Sequence, residues 1–202
     1  MYLSRLEFPL ADKESQELLA NPHLLHRALM SCFPTPAGRP LYRIEPTRDG
    51  QDEPMAIVLV QSGERPDWSR LLSHPRAHVK EFAPQFQTGH RFRFRLRANP
   101  TVKRKRDGQE NGAREGIIGE DRQREWLARK GLVSGFAVES CITIDEHTVT
   151  AHRPASGTLS FRSVRFEGAL RVTDPGRFEK TLAAGIGSGK AFGFGLLSLA
   201  RT

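Results

Sequence analysis

Between residues 90 and 97 apolar and basic side chains alternate strictly, with Phe92, Phe94 and Leu96 on one side and Arg91, Arg93, Arg95 and Arg97 on the other. Successive side chains of an extended chain point to opposite faces, so this spacing predicts a strand with its apolar residues toward a core and its cations away from it. The arginine side reads equally as a solvated basic face or as a surface for phosphate.

A period near 3.6 marks the helices. Asn21-Pro22 joins a side chain that accepts N–H bonds at a helix start to a residue whose fixed φ suits the first helical position. Leu25, Ala28, Leu29 and Cys32 then recur at i, i+3, i+4 and i+7, one buried stripe that Pro34 ends. His26 falls on the flank of that stripe, and His23 lies one turn earlier on the same surface. Asp174-Pro175 repeats the start signal for a helix reaching residue 184. Residues 121–130 predict a further helix, with Trp126 and Leu127 inward and Gly131 as its C-cap.

Strands are expected around these at residues 2–10, 41–45, 56–61, 136–144, 148–153 and 158–172. A short helix is expected over residues 12–20, a turn at Arg48-Asp49-Gly50, and a mixed segment over 68–86 with a short helix broken near Pro75. The order strand, helix, strand, strand, helix, strand is the ferredoxin-like pattern, and the chain holds it twice. The expected fold class is α+β, with two tandem ferredoxin-like (RRM-like) domains, each carrying a four-stranded antiparallel sheet. Residues 1–100 form the first domain in this reading, ending on the 90–97 strand. Residues 101–120, polar and containing Lys103-Arg104-Lys105-Arg106, form a mobile basic loop, and residues 121–202 form the second domain.

Near the end of the sequence, Gly185, Gly187, Gly189, Gly193 and Gly195 surround a single cation, Lys190, just ahead of Leu196, Leu197 and Leu199. Glycine lets a backbone approach a ligand closely, and successive free N–H groups make a concavity suited to an anion. A tight helix-to-strand turn with no ligand satisfies the same spacing. Ala191 follows Lys190, so this is not a Walker loop.

Lys and Arg number 31 against 23 Asp and Glu, a formal net charge of +8, which favours polyanionic partners such as nucleic acid. Cys32 and Cys141 stand apart, which argues against a disulfide framework or a cysteine-rich zinc site. No apolar run is long enough to span a bilayer, and the start, Met1-Tyr2-Leu3-Ser4-Arg5-Leu6, lacks a signal peptide's apolar region. A cytoplasmic protein with no membrane partner is therefore expected.

Several stretches coincide with one family. Met1-Tyr2-Leu3-Ser4, His26 on the first major helix, Phe94-Arg95-Leu96-Arg97-Ala98-Asn99-Pro100, Trp126-Leu127-Ala128-Arg129-Lys130 and Phe166-Glu167-Gly168 occur in this order. With the terminal Gly185-Ile186-Gly187, Lys190 and Gly193-Phe194-Gly195, the chain resembles the CasE-type CRISPR-associated endoribonucleases nearly end to end. The resemblance implies two tandem ferredoxin-like domains and a metal-independent cut within the repeats of precursor CRISPR RNA, with no cofactor. It also implies retention of the processed stem-loop alongside the other subunits of the type I-E complex called Cascade.

RNA carries its own nucleophile, the ribose 2′-OH, so such an enzyme has only to move protons, align the attack and stabilise charge. The products expected are a 2′,3′-cyclic phosphate and a 5′-OH. His26 matches the family's catalytic histidine and would transfer a proton, either from the 2′-OH or to the leaving 5′-oxygen. Members carry a tyrosine three residues earlier, where this chain has His23, which is expected to assist. Arg27, beside His26, is the cationic candidate for the scissile phosphate. The RNA-binding set implied is Lys190 with Gly185, Gly187 and Gly189, His152 and Arg153 on a hairpin spanning residues 148–161, and Lys103, Arg104 and Lys105 in the basic loop. A tandem RRM-like RNA-binding subunit that never cuts is the alternative. It has no need of His26, whereas an RRM reader stacks bases on sheet-face aromatics, and no such motif is present.

Overall fold

The structure is a computed structural model and describes residues 1–34, 39–45, 54–104, 113–153 and 157–201. Strand Tyr2–Pro9 (β1) leads into helices Lys13–Ala20 (α1) and Pro22–Ser31 (α2), then strands Leu41–Ile44 (β2), Met55–Ser62 (β3) and Arg76–Glu81 (β4). These strands pair antiparallel in the order β2-β3-β1-β4. The helix start reads as the sequence predicts: the Asn21 side-chain oxygen accepts from the N–H groups of His23 at 3.1 Å and Leu24 at 3.2 Å. Leu25, Leu29 and Cys32 from that stripe pack on Leu6, Phe8, Val58 and Val60 of the sheet.

The expected helix near Pro75 reduces to one 3-10 turn, Trp68–Arg70, and the residues after it form β4 instead. That strand is an edge with almost every side chain exposed, so no apolar alternation marks it, and its pairing with β1 selects it.

The chain continues through Arg91–Ala98 (β5), Thr101–Arg104 (β6), Ala113–Gly116 (β7), Glu120–Ser134 (α3), Phe136–Arg153 (β8), Gly157–Val172 (β9), Pro175–Ala184 (α4) and Leu197–Arg201 (β10). The second sheet has the order β10-β5-β9-β8. Strand β5 thus opens the second sheet rather than closing the first, which corrects the division drawn at residue 100. Phe94, Leu96 and Ala98 bury in one cluster with Trp126, Phe166 and Leu197, and that shared core fixes the strand's place. Counted within its own unit, each sheet runs fourth-first-third-second, the ferredoxin-like order, with the 3-10 turn standing for the first unit's second helix.

Three further expectations change. The ends of the basic 101–120 stretch pair as a two-stranded hairpin, β6 with β7, because Thr101 to Arg104 and Ala113 to Gly116 fall in register. Helix α3 runs through Gly131 to a C-cap at Gly135, whose φ of 80° is the left-handed conformation glycine allows. Gly131 instead admits Phe136, whose carbonyl oxygen would lie 2.6 Å from any Cβ there. Strand β8 is continuous across residues 145–148 through a bulge between Asp145 and Thr148. No described helix is long and apolar enough to cross a membrane.

The two sheets meet at β2. Arg43, 2% exposed, donates from Nη1 to the carbonyls of Arg95 at 3.0 Å and Leu196 at 3.1 Å, both in the second unit. Its Nε binds Glu45 at 2.8 Å and its Nη2 reaches the Ser198 hydroxyl at 2.8 Å. Glu45 also accepts from Arg95 at 2.6 Å, so charge and hydrogen bonds cross the seam together. Ion pairs continue along Arg95–Glu167, Glu167–Arg165, Arg165–Glu146 and Glu146–Arg97. Arg97, expected outward, is instead nearly buried, at 9% exposure, where its Nε donates to Glu146 and to the Ser163 hydroxyl. Breaking a buried pair from one side leaves its partners unanswered and costs about 3–5 kcal/mol. Arg43→Met is expected to lower the free energy of unfolding, read from urea titration, by an amount of that order, measured against the exposed control Arg27→Met.

Candidate functional site

Tyr42 is the hinge pin of the site. Its ring is buried, and its hydroxyl lies 3.2 Å from the Pro22 carbonyl at the start of α2 and 3.0 Å from the Ala191 carbonyl in the glycine loop. One phenolic proton serves both acceptors in turn, and burial pushes its pKa up, so it stays a donor. Gly193 sits against the same ring with φ 82°, where a Cβ would come within 3.2 Å of it. The loop is closed from the other side as well, since the Gly195 N–H donates to the Arg97 carbonyl at 2.8 Å. Helix α2 and the loop are thus brought face to face by one side chain.

A third wall comes from the β8–β9 hairpin. Val149 and Phe161, paired toward the turn end of this hairpin, pack with Phe192 and Phe194 of the loop. Between these walls lies a cleft of about 650 Å³ lined by His23, His26, Arg39, Asn99, Arg114, Arg162, Ser188, Gly189 and Lys190, among others. No carboxylate lines it among the described residues, so its field is positive. Arg162 alone of the arginines is neutralised locally, by Asp145 at 2.6 Å.

His26 is half-buried, and its Nδ1 has no hydrogen-bond partner among the described residues. Desolvation, then the charges of Arg39 and His23, hold its pKa below the usual 6.5. Lys190 is pushed down likewise, by burial and then by Arg39 and Lys130. With Nδ1 buried, Nε2 is the ring nitrogen able to meet a substrate. Such an imidazole rests neutral, with a ring nitrogen free to accept a proton, while the cations lining the carboxylate-free cleft attract phosphate. Among the described residues no three His, Cys, Asp or Glu side chains cluster to hold a metal ion.

The sequence-derived residues divide clearly. His26, His23, Gly189 and Lys190 come together in the cleft. Arg27 is exposed on α2 and does not line it. Gly185 caps α4, its N–H taken up by the Thr181 carbonyl at 2.7 Å and its Cα set against Leu41, while Gly187 packs over Trp126. Lys103 and Arg104 lie exposed on β6, at the edge of the β6–β7 hairpin. His152 and Arg153 occupy the far end of β8, in register with Thr158 and Gly157, and Lys105 falls outside the described residues. Arg39, Asn99, Ser188 and Arg162 escaped the sequence reading. Asn99-Pro100 was visible as a motif, yet only the fold shows Asn99 reaching the Ser188 hydroxyl at 3.3 Å and accepting the Arg162 N–H at 3.1 Å.

Residues 1–201 match the family described as CRISPR associated protein. The chain is 35% identical to the CRISPR-associated endoribonuclease Cse3 of Thermus thermophilus, over 99% of this chain and 100% of that one. It is 32% identical to the CRISPR system Cascade subunit CasE of Escherichia coli, over 99% of each. A solved structure of CRISPR endoribonuclease Cse3 bound to a 19-nucleotide RNA superposes with a TM-score of 0.88 at 34% identity, covering 100% of both chains. A match that runs across both ferredoxin-like units makes this chain a member of the CRISPR associated protein family, of its CasE type.

Proposed function

We propose that the chain is a metal-independent, site-specific endoribonuclease that cuts precursor CRISPR RNA within its repeat stem-loops and retains the processed RNA as a Cascade subunit. One observation carries this reading: a desolvated histidine without a carboxylate partner sits in a positive cleft that contains no described acid. The likeness to relatives named as endoribonuclease and as Cascade subunit supports the substrate and the assembly. A cytoplasmic location fits the same assembly.

In this mechanism His26 accepts the 2′-OH proton. Burial, then the charges of Arg39 and His23, keep the resting ring neutral, and the tautomer that accepts at Nε2 carries its proton on Nδ1. The freed 2′-oxygen attacks the adjacent phosphorus, and the P–O bond to the 5′-oxygen breaks, leaving a 2′,3′-cyclic phosphate and a 5′-OH. His23, a turn away on the same helix face, supplies the proton that the 5′-oxygen needs. Lys190 and the Gly189 backbone face the RNA backbone. Lys103 and Arg104, with Lys105, contact phosphates along the stem, and His152 and Arg153 reach its groove from the hairpin end.

Cleavage of a repeat stem-loop in EDTA tests the reading. Wild type is expected to cut, whereas His26→Ala, and a substrate carrying a single 2′-deoxy at the nucleotide 5′ of the cut, bind but stay intact. Wild type that binds the RNA and never cuts it, with or without metal, would make the chain a binding subunit.

The pH profile follows from the direction of the His26 shift. A proton acceptor works when deprotonated, and its pKa is lowered, so kcat/KM should hold as pH falls through 6.5 and drop only below that. In the His23→Ala variant, which lacks the proposed acid, a rate that instead declines as pH rises through neutrality assigns His26 the acid role.

His23→Ala is expected to slow single-turnover cleavage by about 100-fold or more, the usual size of a proton-transfer contribution, without weakening RNA binding. Wild-type speed in that variant removes His23 from the mechanism.

A further inference from the structure

Arg39 stands immediately before the most completely buried strand of the first sheet. Pro40, Leu41, Tyr42 and Arg43 are all buried, so the chain that leaves Arg39 is held on its C-terminal side. The side chain itself is exposed, lines the cleft, and makes no hydrogen bond or ion pair among the described residues. A guanidinium on an anchored base with five unanswered donors is built to receive something. It shares the cleft lining with His26 and Lys190, and its charge is felt at both.

The other arginines fit less well. Arg27 does not line the cleft, and Arg162 is already paired with Asp145. Arg114 rises from the β6–β7 hairpin and is not among the groups that perturb His26. Lys190 offers a point charge, whereas a guanidinium fork matches two oxygens of one phosphate.

We propose that Arg39 holds the two non-bridging oxygens of the scissile phosphate, from its place in the cleft it shares with His26 and Lys190. The proposal rests on the endoribonuclease reading of this cleft and specifies its phosphate clamp. Held in this way, the phosphate presents phosphorus to the 2′-oxygen beside His26, and the guanidinium meets the charge that grows on those oxygens as the fifth bond forms.

A double-mutant cycle on binding tests the contact without relying on turnover. The cut is first mapped on a CRISPR repeat stem-loop with wild type, adding Mg²⁺ if the EDTA reaction gives no product. Two RNAs are then made with 2′-deoxy at the nucleotide 5′ of that position, one with the ordinary phosphate and one with a neutral methylphosphonate there. Neutralising the phosphate should weaken wild-type binding on the order of tenfold, as should Arg39→Met with the ordinary phosphate. Combined, they should cost no more than either alone, and Arg39→Lys should restore part of the loss. Arg27→Met and Arg114→Met should each act independently of the methylphosphonate. Additive losses for Arg39→Met, or wild-type binding indifferent to the methylphosphonate, overturn the proposal. Failure to cut in EDTA overturns the metal-independent reading, while the cycle still decides the role of Arg39. An unchanged urea midpoint for Arg39→Met, expected for an exposed side chain, excludes a folding artefact.

Discussion

A guanidinium with 2% exposure has to find acceptors, and Arg43 finds most of its own in the other half of the molecule. The carbonyls of Arg95 and Leu196 and the hydroxyl of Ser198 all belong to the second unit, so the sheets cannot slide without stranding buried charge. The neighbouring residues extend the constraint. Leu41 packs on Gly185 at the end of α4, and Tyr42 ties the start of α2 to the loop beyond Gly189. A strand of only four residues therefore fixes the seam, the helix that carries both histidines and the loop that carries Lys190.

The site that results has an internal tension. Cations without matching acids favour a polyanion, but burial, and then the charges of Arg39 and His23, keep His26 from holding a proton. An arriving phosphate relieves this, since its negative charge offsets Arg39 and Lys190 and lets the ring take up a proton as the reaction demands. Under the proposed mechanism, substrate charge thus helps to tune the base. Carboxylates in the lining would have settled the resting charge at the expense of that coupling.

Much of this was legible along the chain, for physical reasons that differ by residue. Asn21-Pro22 and Asp174-Pro175 announce their helices because capping is a local interaction, complete within four residues. The stripe of Leu25, Leu29 and Cys32 is likewise local and is found buried as spaced. Strand β4 was hidden because an exposed edge is chosen by its partner, β1, rather than by its own pattern. Strand β5 was recognised as a strand but assigned to the wrong sheet, since pairing partners are set by tertiary packing. Arg97 looked like a surface cation because alternation reports a face and not what covers it; here Glu146 and Ser163 do. Arg39 gave no signal at all, lying outside every periodic element.

The pairing of β10 with β5 has a consequence for how the chain comes to life on the ribosome. Leu197 lies opposite Leu96, about a hundred residues earlier, and the second sheet lacks its edge until that partner has been made. Strands β1 to β4 close on themselves well before then, as N-terminal units do during synthesis. Helix α2 with its two histidines is therefore in place early, while the opposing wall of the cleft is assembled last. During most of its own translation the nascent chain carries half a nuclease, and nearby messages meet a completed cleft only after β10 has emerged.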